Sequence, residues 1–186
     1  MQGKGSGTTA LTPEIISKES AFNAMIFGRR FSVTSQAIIT GQTALVDTTP
    51  TFMIRNPSTG TRRVILRSIS LTSVDRQGLR ADIHVVLDTA DRFSAGGSSL
   101  TPSNMNGEST NASAVTFLTN PTATAPGAGT RSIISTAIDT NANAVPAMIL
   151  FKDGLLIPHP GSLLVYTVRT PQAPEWRFAF EWEEIA

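Results

Sequence analysis

The chain has 186 residues, a formal net charge of +1 and no cysteine, with 40% apolar and 16% charged residues. This length suits one domain with a short extension. The charge balance argues against binding of nucleic acid through an overall basic surface, and the lack of cysteine excludes disulfides, thiolate catalysis and cysteine-ligated zinc. We expect neither a membrane span nor a signal peptide, because no sufficiently long apolar run occurs.

Small hydroxyl residues make up much of the polar composition. The chain contains 24 Thr and 18 Ser, but only 3 Lys and 7 Glu. Threonine is stiff at its first side-chain torsion and serine competes for nearby backbone groups, so both suit strands and turns better than helices. The composition therefore predicts an all-β protein.

Residues 1–29 are predicted to form an extended N-terminal arm. Its first ten residues are rich in glycine, serine and threonine and show no periodicity. Thr12, followed by a proline and a glutamate, has the pattern of a helix N-terminus. We therefore expect one or two helical turns within the arm.

From Arg30 the hydrophobic pattern has a period of two, which indicates strands. Short strands are predicted near Phe31–Thr40, Thr43–Val46 and Phe52–Arg55, and a long one over Arg63–Val74. Arg67 and Ser68 interrupt the alternation of this long strand. We interpret the interruption as a bulge at which the inward face switches.

A further strand is predicted at Asp82–Asp88, and residues 94–130 then contain a single charged residue, Glu108. This segment is rich in glycine, proline, asparagine, serine and threonine, with one short strand at Val115–Leu118. It is either a long functional loop or two loops flanking an edge strand.

The C-terminal third has the clearest strand signals. Strands are predicted at Ser132–Asp139 and Val145–Lys152, and Asp153-Gly154 is the signal for a two-residue hairpin turn. Residues 175–183 place four aromatic residues on one face and mostly charged residues on the other. We expect both tryptophans of this strand, Trp176 and Trp182, in the core rather than on a sugar-binding platform.

The predicted fold is an all-β jelly-roll β-sandwich of about 8–10 antiparallel strands over residues 30–186, preceded by the arm. A single sheet of this many strands would curl or split, and a two-layer sandwich is the usual solution.

No residue pattern indicates catalysis, a cofactor or a metal. The two histidines, His84 and His159, lie 75 positions apart, and no Gly-x-Ser-x-Gly motif occurs. Glu181, Glu183 and Glu184 are interpreted as the outer face and end of the last strand. We expect a protein that is not an enzyme and that uses no cofactor.

Charge is distributed unevenly along the chain. Eight arginines and two aspartates occur between Arg29 and Arg80, whereas residues 153–186 contain five acids and two arginines. These charges either compensate within one molecule or form complementary patches that pair between neighbouring subunits.

Three segments resemble the jelly-roll head decoration (cement) proteins of tailed bacteriophages. They are Thr51–Pro57, Pro160–Tyr166 and the ending Phe178–Ile185. The resemblance implies a tumour-necrosis-factor-like fold, commonly trimeric, on the outside of the capsid. It also implies a structural role in bridging neighbouring major capsid subunits and resisting the pressure of the packaged DNA.

The expected function is therefore that of a virion protein that cements the outer surface of the capsid. Its expected partners are the major capsid protein and other copies of this chain, with which it forms a trimer. The expected interface combines arm residues with arginines near the junction of arm and body: Ile15, Ile16, Phe22, Arg29, Arg30, Arg62 and Arg63. Two alternatives stay open: a receptor- or carbohydrate-binding β-sandwich whose site lies in residues 94–130, and a jelly-roll capsid protein itself.

Overall fold

The computed structural model describes residues 22–57, 62–75, 78–125, 127–140 and 147–185. Over these ranges the chain forms thirteen strands and one helical turn, at residues 22–26. Ile15, Ile16 and the predicted helix start at Thr12 lie outside the described residues. Within the described ranges, no helix is long and apolar enough to cross a bilayer.

The strands follow one another from the end of the arm to the end of the chain. They are β1 (Arg30–Thr40), β2 (Phe52–Asn56), β3 (Arg63–Ser73), β4 (Arg80–Asp88), β5 (Phe93–Ala95), β6 (Ser98–Leu100), β7 (Ser103–Asn104), β8 (Thr116–Thr119), β9 (Thr122–Ala123), β10 (Thr130–Asp139), β11 (Ala147–Ile157), β12 (Gly161–Val168) and β13 (Glu175–Ile185).

Two sheets form the body of the protein. The first has the order β11-β3-β13-β1-β7 and the second the order β10-β4-β12-β2-β8-β6. Eight strands, β1 to β4 and β10 to β13, form two four-stranded layers, and the chain passes repeatedly from one layer to the other. The pairs within each layer are antiparallel. This is the jelly-roll arrangement, so the predicted fold class is confirmed.

Aromatic side chains fill the space between the two sheets. Phe178 and Phe180 of β13 pack against Phe52 of β2 and Phe117 of β8, with ring centroids 4.7–5.8 Å apart across and along the layers. Pairs at such distances stabilise a core beyond the area that they bury. Trp176 and Trp182 are fully buried in the same cluster, as predicted.

The bulge predicted in the long strand is confirmed. Ser68 pairs with Glu181 and Leu66 pairs with Trp182, so Arg67 is the extra residue on β3. The buried positions change from even numbers before Arg67 to odd numbers after it. The bulge therefore keeps apolar side chains inward on both sides of the interruption.

The hairpin turn predicted at Asp153-Gly154 is wrong. Strand β11 continues through both residues and pairs with β3 on either side, from Ala147 to Leu150 and again from Leu155 to Ile157. The residues in between bulge out opposite the irregularity of β3. Gly154 has φ of +80° in this bulge. Glycine adopts a positive φ readily, so the Asp-Gly pair is compatible with a bulge as well as with a hairpin turn.

Parts of residues 94–130 cover the outer face of the second sheet and extend its edge, whereas β7 pairs with β1 at the edge of the first sheet. Strands β8 and β6 continue that sheet beyond β2, while β5 pairs with β9. A second apolar cluster lies here, formed by Met53, Leu118, Ala123, Leu164, Tyr166 and Val168. Much of the segment is therefore packed structure rather than a free loop.

Candidate functional site

The base of the arm is the short stretch that joins the helical turn at residues 22–26 to β1. The turn is closed by backbone hydrogen bonds from Phe27 to the Asn23 carbonyl, 2.9 Å, and from Arg29 to the Ala24 carbonyl, 2.7 Å. The stretch lies against residues 104–111 of the long segment. Two parts of the chain that are about 80 positions apart thus meet at the start of the jelly roll.

Three asparagine side chains hold the carbonyl groups of this stretch. Asn106 donates to the Ile26 carbonyl at 2.8 Å, Asn111 to the Phe27 carbonyl at 3.2 Å, and Asn104 to the Gly28 carbonyl at 2.9 Å. The last carbonyls of a helical turn have no partner within the turn, so amide donors are well suited to them. Three successive backbone groups of the arm are thereby fixed to the body.

Gly28 packs directly against Ser109 of the long segment. It has φ of +62°, and a Cβ atom at this position would overlap the Ser109 side chain. Glycine adopts this positive φ without strain and has no Cβ atom that would overlap Ser109, so it is the residue that fits here.

The carboxylate of Glu184 anchors the same region to the core. Its oxygens accept hydrogen bonds from Trp182 Nε1 at 3.2 Å, Ser113 Oγ at 2.5 Å and the Ala114 amide at 3.0 Å. Arg62 Nη1 is a fourth donor, 3.2 Å away. The Glu184 side chain is completely buried, and its backbone amide donates to the Arg29 carbonyl at 2.8 Å.

The interpretation of Glu184 as an exposed strand end is therefore wrong. It continues the inward positions of the aromatic residues before it, and its negative charge is compensated by the surrounding donors. Glu183 is also buried, at 1% exposure, and its charge is compensated by Arg67, whose Nη2 lies 2.7 Å from Glu183 Oε2.

A cleft of about 230 Å³ opens beside Glu184. It is lined by Phe27, Gly28, Arg29, Arg62, Asn111 and Glu184. The Arg29 guanidinium lies 5.8 Å from the centre of the Phe27 ring, within the range of a cation–π contact. Arg29 is exposed, and no ion pair links it to any residue that the structure describes.

Several apolar side chains of the helical turn, the residue after it and the adjoining long segment are exposed. Phe22, Ile26, Phe27 and Met105 are 58%, 49%, 62% and 38% exposed. A second hollow, of about 450 Å³, is lined by Met25, Ile26, Met105, Asn106, Gly107 and Glu108. We call the arm-base surface the set formed by Phe22, Ile26, Phe27, Arg29, Arg62 and Met105.

Of the predicted interface residues, Arg29 and Arg62 line one cleft and Phe22 lies on the helical turn before it, whereas Arg30 and Arg63 lie elsewhere. Phe22, Arg29 and Arg62 belong to the arm-base surface. Arg30 lies on the outer face of the first sheet, bound to Glu181 at 2.9 Å, and Arg63 is exposed at the start of β3.

The uneven charge along the sequence is partly balanced within the molecule. Arg30, Arg62 and Arg67 each form an ion pair with an acid of β13. For these three arginines, compensation within the chain is confirmed. Arg29, next to Arg30 in sequence, is not part of this network.

Sequence reasoning missed the three asparagines and Glu184. The asparagines belong to the segment in which only one residue is charged, and their partners lie 80 or so positions away. Glu184 could have been found, because it has the same parity as Trp176, Phe178, Phe180 and Trp182.

Comparisons with protein-family models, curated proteins and solved structures gave no significant match. The resemblance to phage decoration proteins therefore stays a prediction. Among the described residues, no group of three or more histidine, cysteine, aspartate or glutamate side chains is arranged to hold a metal ion.

Proposed function

We propose that this chain is a structural capsid decoration protein that binds the outside of a phage head and bridges neighbouring major capsid subunits. One observation carries the proposal: exposed apolar side chains stand on a helical turn that side-chain hydrogen bonds fix to a rigid jelly roll. An apolar patch of this kind marks an interaction surface. A surface that is already ordered loses less entropy on binding than a free segment would.

The role needs no reactive group. A capsid presents the same site many times, so a contact of modest strength at each arm base gives tight attachment when several copies are joined. Assembly of the chain as a trimer would supply that multivalency. The sugar-binding alternative gains no support from the tryptophans, because both are buried in the core.

The test is decoration of empty heads of the source phage, followed by electron microscopy. We expect the Phe22→Ser/Phe27→Ser double variant to fold normally, since both side chains are more than half exposed, and to occupy few sites on the shell. Leu150→Ser is the matched control, because Leu150 is 68% exposed but lies on β11, away from the arm base. It should decorate normally.

Deletion of residues 1–29 gives a second measurement. We expect the remaining jelly roll to fold and to decorate heads poorly. Full occupancy by the double variant and by the truncated chain would overturn the proposed role of the arm.

A further inference from the structure

The arm-base cleft contains two guanidinium groups that keep spare hydrogen-bond donors toward the part of the chain that the structure describes. The Arg29 guanidinium makes no hydrogen bond or ion pair to a residue that the structure describes, and its one contact there is with the Phe27 ring. Arg62 donates one Nη1 group to Glu184, and its side chain is 43% exposed. Free guanidinium donors at a cleft favour a ligand with a planar, charged acceptor.

The acid already present in the cleft does not remove this preference. The oxygens of Glu184 receive hydrogen bonds from Trp182, Ser113 and Ala114 in addition to Arg62. The Glu184 side chain is fully buried at the base of the cleft, whereas the two arginines reach solvent. A ligand that approaches from solvent therefore meets positive charge first.

The surroundings of the cleft indicate that the ligand belongs to a protein. Phe27 lines the cleft and Ile26 the neighbouring hollow, and both side chains are about half exposed or more. A small anion would leave this apolar area uncovered. Glu108 lines the neighbouring hollow and disfavours a second acid there.

We infer that the cleft between Arg29 and Arg62 binds a carboxylate side chain of the partner protein, presented by a segment with apolar residues beside the acid. The carboxylate contacts the two guanidinium groups, and the apolar residues cover Phe27 and Ile26. This inference deepens the proposed function, on which it rests for the identity of the partner as a capsid protein.

The test uses two blocked pentapeptides of sequence leucine-serine-X-serine-leucine, with glutamate or glutamine as X. Each is titrated into the full chain labelled with ¹⁵N, and the arginine side-chain signals are followed by NMR. We expect the glutamate peptide to bind at least about tenfold more tightly, as for a charge-assisted contact, and to shift the Nε–Hε signals of Arg29 and Arg62.

Arg29→Gln is the decisive variant, because Arg29 is exposed and the change leaves the network of Glu184 intact. It should lower the preference for glutamate, because one of the two guanidinium groups is lost, while Arg63→Gln, the exposed arginine nearby in sequence, should keep the preference in full. Equal affinity for both peptides overturns the inference. So does displacement of the glutamate peptide by an equal concentration of sodium phosphate, which would identify a site for free anions.

Head decoration by the same variants separates the inference from the proposed function. If Arg29→Gln decorates heads normally while Phe22→Ser/Phe27→Ser does not, the chain is a decoration protein and the carboxylate site is wrong. If the peptide preference is present and wild-type chain fails to decorate heads, the cleft stands and the decoration function is overturned.

Discussion

The carboxylate of Glu184 accepts a hydrogen bond from the indole Nε1 of Trp182, 3.2 Å away and two residues earlier on the same strand. The inward face of β13, apolar from Trp176 onward, thus ends on a buried charge. The same carboxylate binds Arg62 at the arm base. The end of the core and the candidate binding surface consequently share one group.

Replacing Glu184 with glutamine tests this coupling. The amide keeps one acceptor oxygen but loses the charge that Arg62 pairs with, so we expect the free energy of unfolding to fall by about 1–3 kcal/mol. Urea unfolding followed by tryptophan fluorescence measures the loss. Glu181→Gln is the control on the same strand, and its partly exposed pair with Arg30 should contribute less than about 1 kcal/mol. Equal losses in the two variants would contradict the conclusion that the buried charge of Glu184 stabilises the end of the core and the arm base together.

The asparagine contacts predict that the arm base can be released without unfolding the body. Asn104→Ala removes the donor to the Gly28 carbonyl and to the Asn111 carbonyl, at 2.9 and 3.0 Å. We expect a loss of about 1–3 kcal/mol in the free energy of unfolding and faster hydrogen exchange of the amides of residues 27–30. Asn23→Ala, an exposed asparagine of the helical turn, serves as the control. Unchanged hydrogen exchange in Asn104→Ala would show that the Asn104 side chain does not hold the arm base in place.

Acid should weaken the fold through Asp75. Burial alone would raise the pKa of Asp75, but the hydrogen bonds from Arg169 and from the Glu175 amide, with the charge of Arg169, lower it below its ordinary value of 3.8. The unfolded state therefore binds a proton at higher pH than the folded state. The stabilisation that ionised Asp75 provides is complete above about pH 4, and it is lost as the pH falls through the pKa of Asp75 in the folded chain.

Asp75→Asn measures this contribution. At neutral pH the variant leaves Arg169, which is 2% exposed, without its charge partner, so we expect a loss of about 3–5 kcal/mol. The difference from wild type should narrow as urea unfolding is repeated at lower pH. Asp82→Asn, an exposed carboxylate on β4, should follow wild type at each pH. A difference that stays constant down to pH values well below 3.8 would refute the ion pair as the source.

Base should weaken the fold through Tyr166, the chain's single tyrosine. Burial, followed by the charges of Asp47 and Asp88, raises the pKa of Tyr166 to about 12. Its hydroxyl donates to the Asp47 carbonyl at 2.7 Å. The contribution of Tyr166 to the free energy of unfolding is fully present below pH 10, the ordinary pKa of the phenol. It falls as the pH rises towards 12, the pKa in the folded chain.

Ultraviolet absorbance of tyrosinate reports this group alone. The folded chain should titrate near pH 12, and the chain in concentrated urea near pH 10. Tyr166→Phe supplies the blank. A folded chain that titrates at pH 10 would place the phenol in water rather than in the second apolar cluster.

Local sequence pattern was sufficient for those features that depend on a side chain and its near neighbours. The alternation of four aromatic residues predicted the buried face of β13, and the break at Arg67 predicted the bulge of β3. Both follow from the two-residue period of a strand, which the sequence displays directly. The Asp153-Gly154 signal was ambiguous for the same reason, since a positive φ suits a turn and a bulge alike.

Tertiary structure alone decided the strand order and the arm base. β1 pairs with β13, almost the whole chain away, and Asn104 binds a carbonyl 76 positions earlier. Such contacts depend on which distant surfaces meet when the two sheets close over the core, and no local period encodes them. The sequence by itself therefore determined an all-β chain with most of its inward residues, whereas the folded molecule decided that Glu184 and three asparagines meet where the arm joins the jelly roll.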